Sequence, residues 1–490
     1  MMPDFRHDRA RRGAARTASR RAALVGLGCL VLSACTGSQP SRELGFAMPP
    51  RYLEAAPAPS NIGPHWWRAY RRPELSRLVE KALADNLDIA AAVARIRQAE
   101  AQILTSRAAL LPTLNGGASG SRSRSGFSGS ESSSFSTTLS TTYVLDLFGR
   151  NRALLEGVQA TAQATRVDKD YVALIASATV ATTYFQLITA QDRVAIAERS
   201  AATAERVLRA IRARTAAGTT SDLEVAQQEA LAAGLRAAIP GLRTQITSAR
   251  NALAVLTGTV PQDFAAGGGS IAALALPVIR PGLPSDLLLR RPDVKEAEIR
   301  LAALDANIVA ARAAFYPSIS LTGQGGFQSN ALAILFRPDS ALYSLAGSLT
   351  QPIFDPGTLR GNLELQRGLF DEALQVYRKA VLTALSDVSN ALEATRRTSE
   401  QVRFQTQATM AARRAFSIVD GRLREGVVDI VTLLNTQTTL FNSEDALVQA
   451  RYARAQASVA LFQALGGGWT PETPLTEVTP AGEPALRPTP

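Results

Sequence analysis

Four side chains hold all the thiol and imidazole chemistry of this 490-residue chain: His7, Cys29, Cys35 and His65. His65 stands alone. It has no second ligand for a metal site and no nucleophile for a triad. Cys35 sits in a different setting, behind an arginine-rich start (6–21) and the apolar run "AALVGLGCLVLSA" (22–34). That order is the layout of an export signal, with a run long enough for a signal's apolar region and too short to span a bilayer. A short buried helix is the alternative, but no amphipathic pattern supports it. Export would remove His7 and Cys29, and what remains speaks against an enzyme.

The stretch "LSAC" (32–35) resembles the lipobox of bacterial lipoproteins, where cleavage before the cysteine is coupled to its acylation. The resemblance implies a mature chain that begins at a lipid-bearing Cys35, keeps no free thiol, and forms no disulfide in a compartment that would permit one. The covalent lipid is the only group of cofactor kind expected. Thr36 follows the cysteine, whereas lipoproteins kept at the inner membrane commonly carry Asp there, so the resemblance points to the outer membrane. Removing residues 1–34, with their seven Arg and two acids, lowers the net charge from +11 to +6. The remaining basic residues are spread along the chain without the basic and aromatic stripe of a nucleic-acid binder, so no nucleic-acid partner is expected. No later segment has eighteen or more consecutive apolar residues.

The elements that would position any site are written twice. "RAALLPTLNGGAS" (107–119) matches "RAAFYPSISLTGQ" (312–324), and "YVLDLFGRNRA" (143–153) lies opposite "LTQPIFDPGTLRG" (349–361). "RTAAGTTSDLEVAQQEALA" (214–232) lies opposite "LREGVVDIVTLLNTQTTLF" (423–441), with Gly218 and Gly426 in register. Each half reads as a helix stopped at a proline, two extended segments, a very long helix, a glycine turn and a returning helix. The resulting division is 1–34 signal, 35–75 linker and equatorial segment, 76–258 first repeat, 259–284 inter-repeat linker, 285–468 second repeat, and a Pro-rich tail 469–490 expected to be disordered.

In the extended segments apolar and small polar residues alternate. Phe135, Leu139, Tyr143, Leu145 and Leu147 fall on one face of the first, and Ile319, Leu321, Phe327, Tyr343, Leu345, Leu349 and Ile353 on one face of the second pair. A period of two with one apolar and one small-polar face suits a membrane barrel strand. A soluble sandwich with one wet face would alternate in the same way, but two strands per half are too few and the partner sheet is missing. The segment after Pro112, rich in Gly and Ser, is the weakest strand.

Residues 150–216 and 359–425 contain no proline and little glycine, so each is expected as one helix of roughly 100 Å. Phe370, Leu374, Tyr377, Val381, Leu385, Val388 and Leu392 repeat every eleven residues, which favours nearly straight packing. A four-helix bundle or spectrin-like rod would also use long Ala-rich helices, without explaining the interleaved strands. Four strands cannot close a barrel, and open strand edges in lipid are prohibitive, so the chain must oligomerise. Two copies would give eight strands and three would give twelve.

With these segments placed, the chain from 66 to 468 resembles the outer membrane factors, the TolC-like channel family, in its NodT-type lipoprotein branch. The resemblance is carried by "WWRAYRRPELSRLVEKALADNLDIAAAVARIRQAEA" (66–101), "DLFGRNR" (146–152), "LLLRRPDVKEAE" (287–298), "NIVAARAAFYPSISLTG" (307–323) and "QPIFDPGTLRGNL" (351–363) in order. It implies a mainly α fold with a membrane β part: a long-helix periplasmic α-barrel continuous with an outer-membrane β-barrel, four strands per chain and twelve in a homotrimer. It implies an exit channel docked to a periplasmic adaptor (a membrane fusion protein). An inner-membrane transporter, often of the resistance-nodulation-division type, would feed it small molecules such as drugs or solvents. Adaptor contact then falls on Gly218, Thr219, Thr220 and Asp222 at one helical turn, and on Gly426, Val427 and Val428 at the other.

Relatives narrow the closed tip with an acidic ring at a Leu-Leu-Asp-Ala-Gln pattern. Here the stretch reads "TLLNTQ", so the acid's position is Asn435 and the preceding constriction matches Val431. A ring of amides provides no fixed charge, leaving Asp429 or Asp222 to compensate. Arg422 and Arg424 are placed to pair with Asp222 or Glu224 across neighbouring helices. Trp66 and Trp67 are expected in a belt at mid-tube. The same fold could export metal ions or serve type I protein secretion, although Met48 and Met410 alone make no soft-metal ladder. A non-conducting helical lipoprotein scaffold is the reading from another class.

Overall fold

The computed structural model describes residues 43–52, 62–124, 126, 131–425 and 427–471. Cys35, the signal, Gly426 and 472–490 therefore lie outside the described residues. The chain divides by its contacts into Met1–Phe46 and Ala47–Pro490, and all the described helices and strands belong to the second unit.

The first half runs α1 (Pro73–Asp85), α2 (Leu87–Ala108), β1 (Thr113–Arg124), β2 (Glu131–Leu145), α3 (Arg150–Ala216) and α4 (Asp222–Leu256). The second runs through a single turn, Leu287–Arg290, into α5 (Pro292–Ala313), β3 (Ser318–Ser329), β4 (Ala341–Thr350), α6 (Thr358–Arg424) and α7 (Ile430–Ala464). The two long helices have 67 residues each and the two returning helices 35 each. At 1.5 Å per residue the former extend roughly 100 Å.

The helix stops differ slightly from the expectation. α2 and α5 end at Ala108 and Ala313, before Pro112 and Pro317. The intervening amides bond back in tight turns, Leu110 and Leu111 to Arg107 and Ala108, and Phe315 and Tyr316 to Arg312 and Ala313. Proline disfavours the helical conformation upstream of itself, and a tightened last turn absorbs that constraint. α1 begins at Pro73, ahead of the expected 76, because proline is pre-organised for the first helical turn. α4 runs unbroken through Pro240.

The four strands form one antiparallel sheet in the order β1-β2-β3-β4. β1 pairs with β2 along all its 12 residues despite its Gly and Ser content. Two features support it: cross-strand hydroxyl pairs (Ser119–Ser136 and Ser123–Ser132, each 2.9 Å) and the Phe135 ring lying over Gly120. β2 and β4 end at Leu145 and Thr350, short of the expected Leu147 and Ile353. The reason is local. Asp146 leaves the ladder to accept from the backbone N–H groups of Asn151 (3.1 Å) and Arg152 (2.9 Å) at the start of α3. Asp355 likewise accepts from Gly357 (3.2 Å) and Leu359 (2.8 Å) at the start of α6. Each carboxylate satisfies orphan amides at a helix N-terminus, where negative charge is also favoured.

The main core sits halfway along α3. Trp66, Trp67 and Tyr70 of a 3-10 turn pack with Leu75, Leu78 and Val79 of α1 against Tyr184, Phe185, Leu187 and Ile188 of α3 and Val459 and Phe462 of α7. Trp66 stacks on Phe462 with centroids 5.1 Å apart, and Tyr70 donates to Ser458 Oγ at 2.8 Å. The inter-repeat linker wraps this level through Ser270, whose hydroxyl donates to Asp192 at 2.8 Å. Trp469, placed by the sequence in a disordered tail, is instead buried and donates to Asp170.

On α6 the buried seam is Phe370, Leu374, Val381, Ala384, Val388 and Ala391. Leu385 and Leu392, expected in the seam, are only half-buried. Alanine takes the contact line because its small side chain lets the neighbouring helix come closer.

Candidate functional site: the strand sheet and the helical tips

Two regions of the fold bear on function: the open sheet and the two helical turns. Cross-strand register puts Leu139, Tyr143 and Leu145 of β2, Ile319 and Leu321 of β3, and Leu345 and Leu349 of β4 on one face. Much of that face is exposed: Tyr343 by 86%, Leu345 by 84% and Leu349 by 68%. The other face is small and polar, with Ser136, Thr138 and Ser140 on β2 and a Ser320–Ser348 hydroxyl pair at 2.7 Å. An apolar face this exposed, backed by a hydroxyl-rich one, fits lipid on one side and water on the other. β1 and β4 are both edge strands, with one side of each unpaired among the described residues. Among the described helices only α3 contains a window long and apolar enough to cross a membrane, and 72% of that window is buried in the protein interior.

At the first turn Gly218 adopts φ +74°, a left-handed conformation that suits glycine. The Thr219 amide (3.0 Å) and hydroxyl (2.9 Å) both donate to the Arg214 carbonyl, closing the end of α3. Ser221 and Glu224 form a capping box that starts α4. Glu224 is thereby engaged locally. Among the described residues no ion pair joins Arg422 to Asp222 or Glu224 within the protomer, contrary to the sequence expectation, and the Arg424 side chain lies outside the described residues. What ties the two turns together is Arg214, whose guanidinium donates to the Leu423 carbonyl at 2.8 Å, near the end of α6. A cation beside those orphan carbonyls is favourable.

At the second turn the Val427 amide donates to the Arg422 carbonyl at 3.0 Å, and the Val427 side chain is 69% exposed. Val428 is half-buried. Asp429 caps α7: its carboxylate accepts from the Thr432 N–H at 2.8 Å and the Thr432 hydroxyl at 2.9 Å. These bonds hold its carboxyl below the usual carboxylate range, the Thr432 N–H first among them. Asp429 therefore keeps its charge, but its first task is the helix start. Val431 and Asn435 stand one turn apart on the exposed side of α7, opposite buried Leu433. Asp222, Thr219 and Gly218 are exposed, and Thr220 is half-buried. The structure thus gathers the expected residues into two neighbouring turns, each carrying its own cap.

The model of the outer membrane efflux protein family matches residues 78–259 and 283–467, one stretch for each helix-and-hairpin half. The chain belongs to that family. As an outer membrane efflux protein it is a channel component of efflux pumps, sited in the outer membrane, and not an enzyme. It is 38% identical over 454 residues to the pyoverdine export outer membrane protein OpmQ of Pseudomonas aeruginosa, covering 90% of this chain and 95% of that one. It is 36% identical over 413 residues to the solvent efflux pump outer membrane protein SrpC of Pseudomonas putida, covering 82% and 87% respectively. The open-state crystal structure of the MtrE outer membrane channel of Neisseria gonorrhoeae superposes with a TM-score of 0.80 at 32% identity. It covers 88% of this chain and 97% of that one.

Several residues of this efflux protein escape a reading of the sequence. Arg214, the capping carboxylates Asp146 and Asp355, and the buried Arg291, which pairs with Asp293 (2.6 Å) and Asp387 (2.9 Å), are among them. The cap pair had a usable signal, an Asp placed before a glycine in both halves, in "DLFGR" and "FDPGT".

Proposed function

We propose that the chain assembles as a homotrimer whose twelve strands close an outer-membrane barrel above a periplasmic tube of long helices. The observation that carries this reading is the open sheet: four strands, an exposed apolar face, and an unpaired edge on each side. Every unsatisfied backbone group in hydrocarbon costs several kcal/mol, so the edges of β1 and β4 need partners from other copies. Two copies would give eight strands and a pore filled by side chains, whereas three leave an aqueous lumen lined by the Ser/Thr face.

The trimer serves as the passive exit duct of a tripartite efflux system, conducting small molecules outward. Energy and cargo choice come from an inner-membrane transporter of the resistance-nodulation-division type. A periplasmic adaptor joins the two by gripping the turns at Gly218, Thr219, Thr220 and Asp222 and at Gly426, Val427 and Val428. Asp429, Val431 and Asn435 border the closed aperture. The relatives named for export of pyoverdine and of solvents fit a cargo of small organic molecules. Cys35 carries the lipid anchor. Ducts for metal ions or secreted proteins share this architecture and are set apart by their transporters.

The test is the particle mass and conductance of the detergent-extracted protein. A mass near three chains and stepwise current in planar bilayers are expected. A monodisperse monomer that retains its β signal would refute the assembly.

A further inference from the structure

Gln228 and Gln437 occupy matching places near the starts of α4 and α7, and both are buried, at 0% and 4% exposure. Gln228 Nε2 donates to the Ala204 carbonyl of α3 at 2.8 Å and reaches Gln437 Oε1 at 3.4 Å. The reciprocal half of this amide pair is not made. Gln228 Oε1, Gln437 Nε2 and the neighbouring Gln227 Oε1 have no hydrogen-bond partner among the described residues. Buried polar atoms left this way are rare, because each has given up its hydration for nothing in return.

The layer has a telling position. On its tip side lies an apolar cluster of Val207, Ile211, Leu423, Ile430 and Leu433, with Val225 against it. On the other side lies a separate cluster of Ala201, Ala204, Ala232 and Leu235, with Phe441 against it. The glutamines interrupt what would otherwise be one continuous apolar seam through α3, α4 and α7. The Arg214–Leu423 bond lies within the tip cluster and ties its two hairpins into one body.

We infer that the glutamine layer is a slip plane, along which the tip cluster shifts as a unit against the rest of the helical shaft. An apolar layer resists such a shift because every interdigitated contact is lost at once. The amide layer resists less, because water entering as the helices part hydrates the Gln228 Oε1 and Gln437 Nε2 atoms that the observed packing leaves bare. Pro240, which supplies no N–H to the α4 ladder, loosens the same helix farther from the tip. The role in opening rests on the proposed duct; the mobility of the tip does not.

The experiment is hydrogen–deuterium exchange on the detergent-solubilised full-length trimer, with bilayer recordings on the same samples. Gln228→Met together with Gln437→Met removes the free amide atoms at almost unchanged length. Exchange in 207–225 and 423–434 should slow by about tenfold, with the mid-helix core unchanged and fewer spontaneous openings. Gln228→Leu with Gln437→Leu decides the matter if the methionine pair does not assemble. Gln228→Asn, too short to reach Gln437, should speed exchange in the tip. Tip exchange that is unchanged or faster in a folded double variant overturns the slip plane, and slowed exchange with an unaltered opening frequency in a conducting channel overturns its role in opening. Slowed exchange in a protein that never conducts, even as wild type, sustains the slip plane and overturns the duct.

Discussion

The indole N–H of Trp469 donates to Asp170 Oδ2 at 2.9 Å, both residues being buried, and so binds the end of the second repeat to the long helix of the first. Lys169 supplies the countercharge to Asp170 at 3.0 Å. Trp469→Phe should keep most of the packing but leave the carboxylate oxygen without its donor, at a cost of about 1–3 kcal/mol. Trp469→Ala should cost about 3–5 kcal/mol, because a cavity is added to the loss. Thermal melting of the extracted protein checks both, and a Trp469→Phe variant that melts like the wild type would show that the hydrogen bond contributes nothing separable.

Gly326 tests the sheet. A Cβ there would fall well inside the van der Waals contact distance to the Thr137 carbonyl oxygen, whereas a Cβ at Gly116 would only touch the Leu139 side chain at 4.0 Å. Gly326→Ala is expected to part β2 from β3 and reduce assembled trimer severalfold. Gly116→Ala should assemble normally. Native-gel quantification of trimer separates them, and normal assembly of the Gly326 variant would count against this register.

Asp429 gives the second turn a pH dependence. Its carboxyl titrates below the ordinary value of 3.8 because the ionised form accepts from Thr432. The cap is therefore fully present above 3.8 and is lost as pH falls through the lower, folded-state value. Local exchange at 430–434 should stay constant from neutral pH down to that range after correction for intrinsic rates, and then rise. Asp429→Ala should raise it at neutral pH by about an order of magnitude, while Asp429→Asn should nearly preserve the cap.

The proposed aperture gives an electrical prediction. In the proposed trimer three Asn435 amides would carry no fixed charge, so Asn435→Asp should introduce a cation preference and block by multivalent cations in bilayer recordings. Val431→Ser would remove the proposed apolar constriction and should raise resting conductance. Unchanged current and block in both variants would place these exposed side chains away from the conducting path.

Maturation at Cys35 is checked by labelling with a radioactive fatty acid. Wild type should incorporate label and Cys35→Ala should not, while trimers persist in both because a single anchor is weak beside a barrel. Equal labelling would remove the lipid from this cysteine.

Local sequence was enough to read the elements and most of the family resemblance. Prolines 112 and 317, the glycine at 218 and the alternation through β2 to β4 act within a few residues of backbone, where sterics and side-chain periodicity are decided. Two unbroken runs without proline were enough to read α3 and α6. Local rules also explain the small errors, since Asp146 and Asp355 stop β2 and β4 early by turning to the amides that lie just beyond them. Tertiary structure alone decided which residues meet across the repeats. Trp469 looked like the start of a tail until Asp170, 299 positions away, gave its N–H a buried acceptor. Nothing local to Gln228 or Gln437 announces that the two meet beside the Ala204 carbonyl of α3. Arg422 and Arg424 were set beside Asp222 and Glu224 by position alone, yet Glu224 accepts from the Ser221 amide next to it and it is Arg214 that reaches across to the Leu423 carbonyl. Such pairings depend on how closely helices approach once the chain has closed loops of two to three hundred residues, and no local preference encodes that distance.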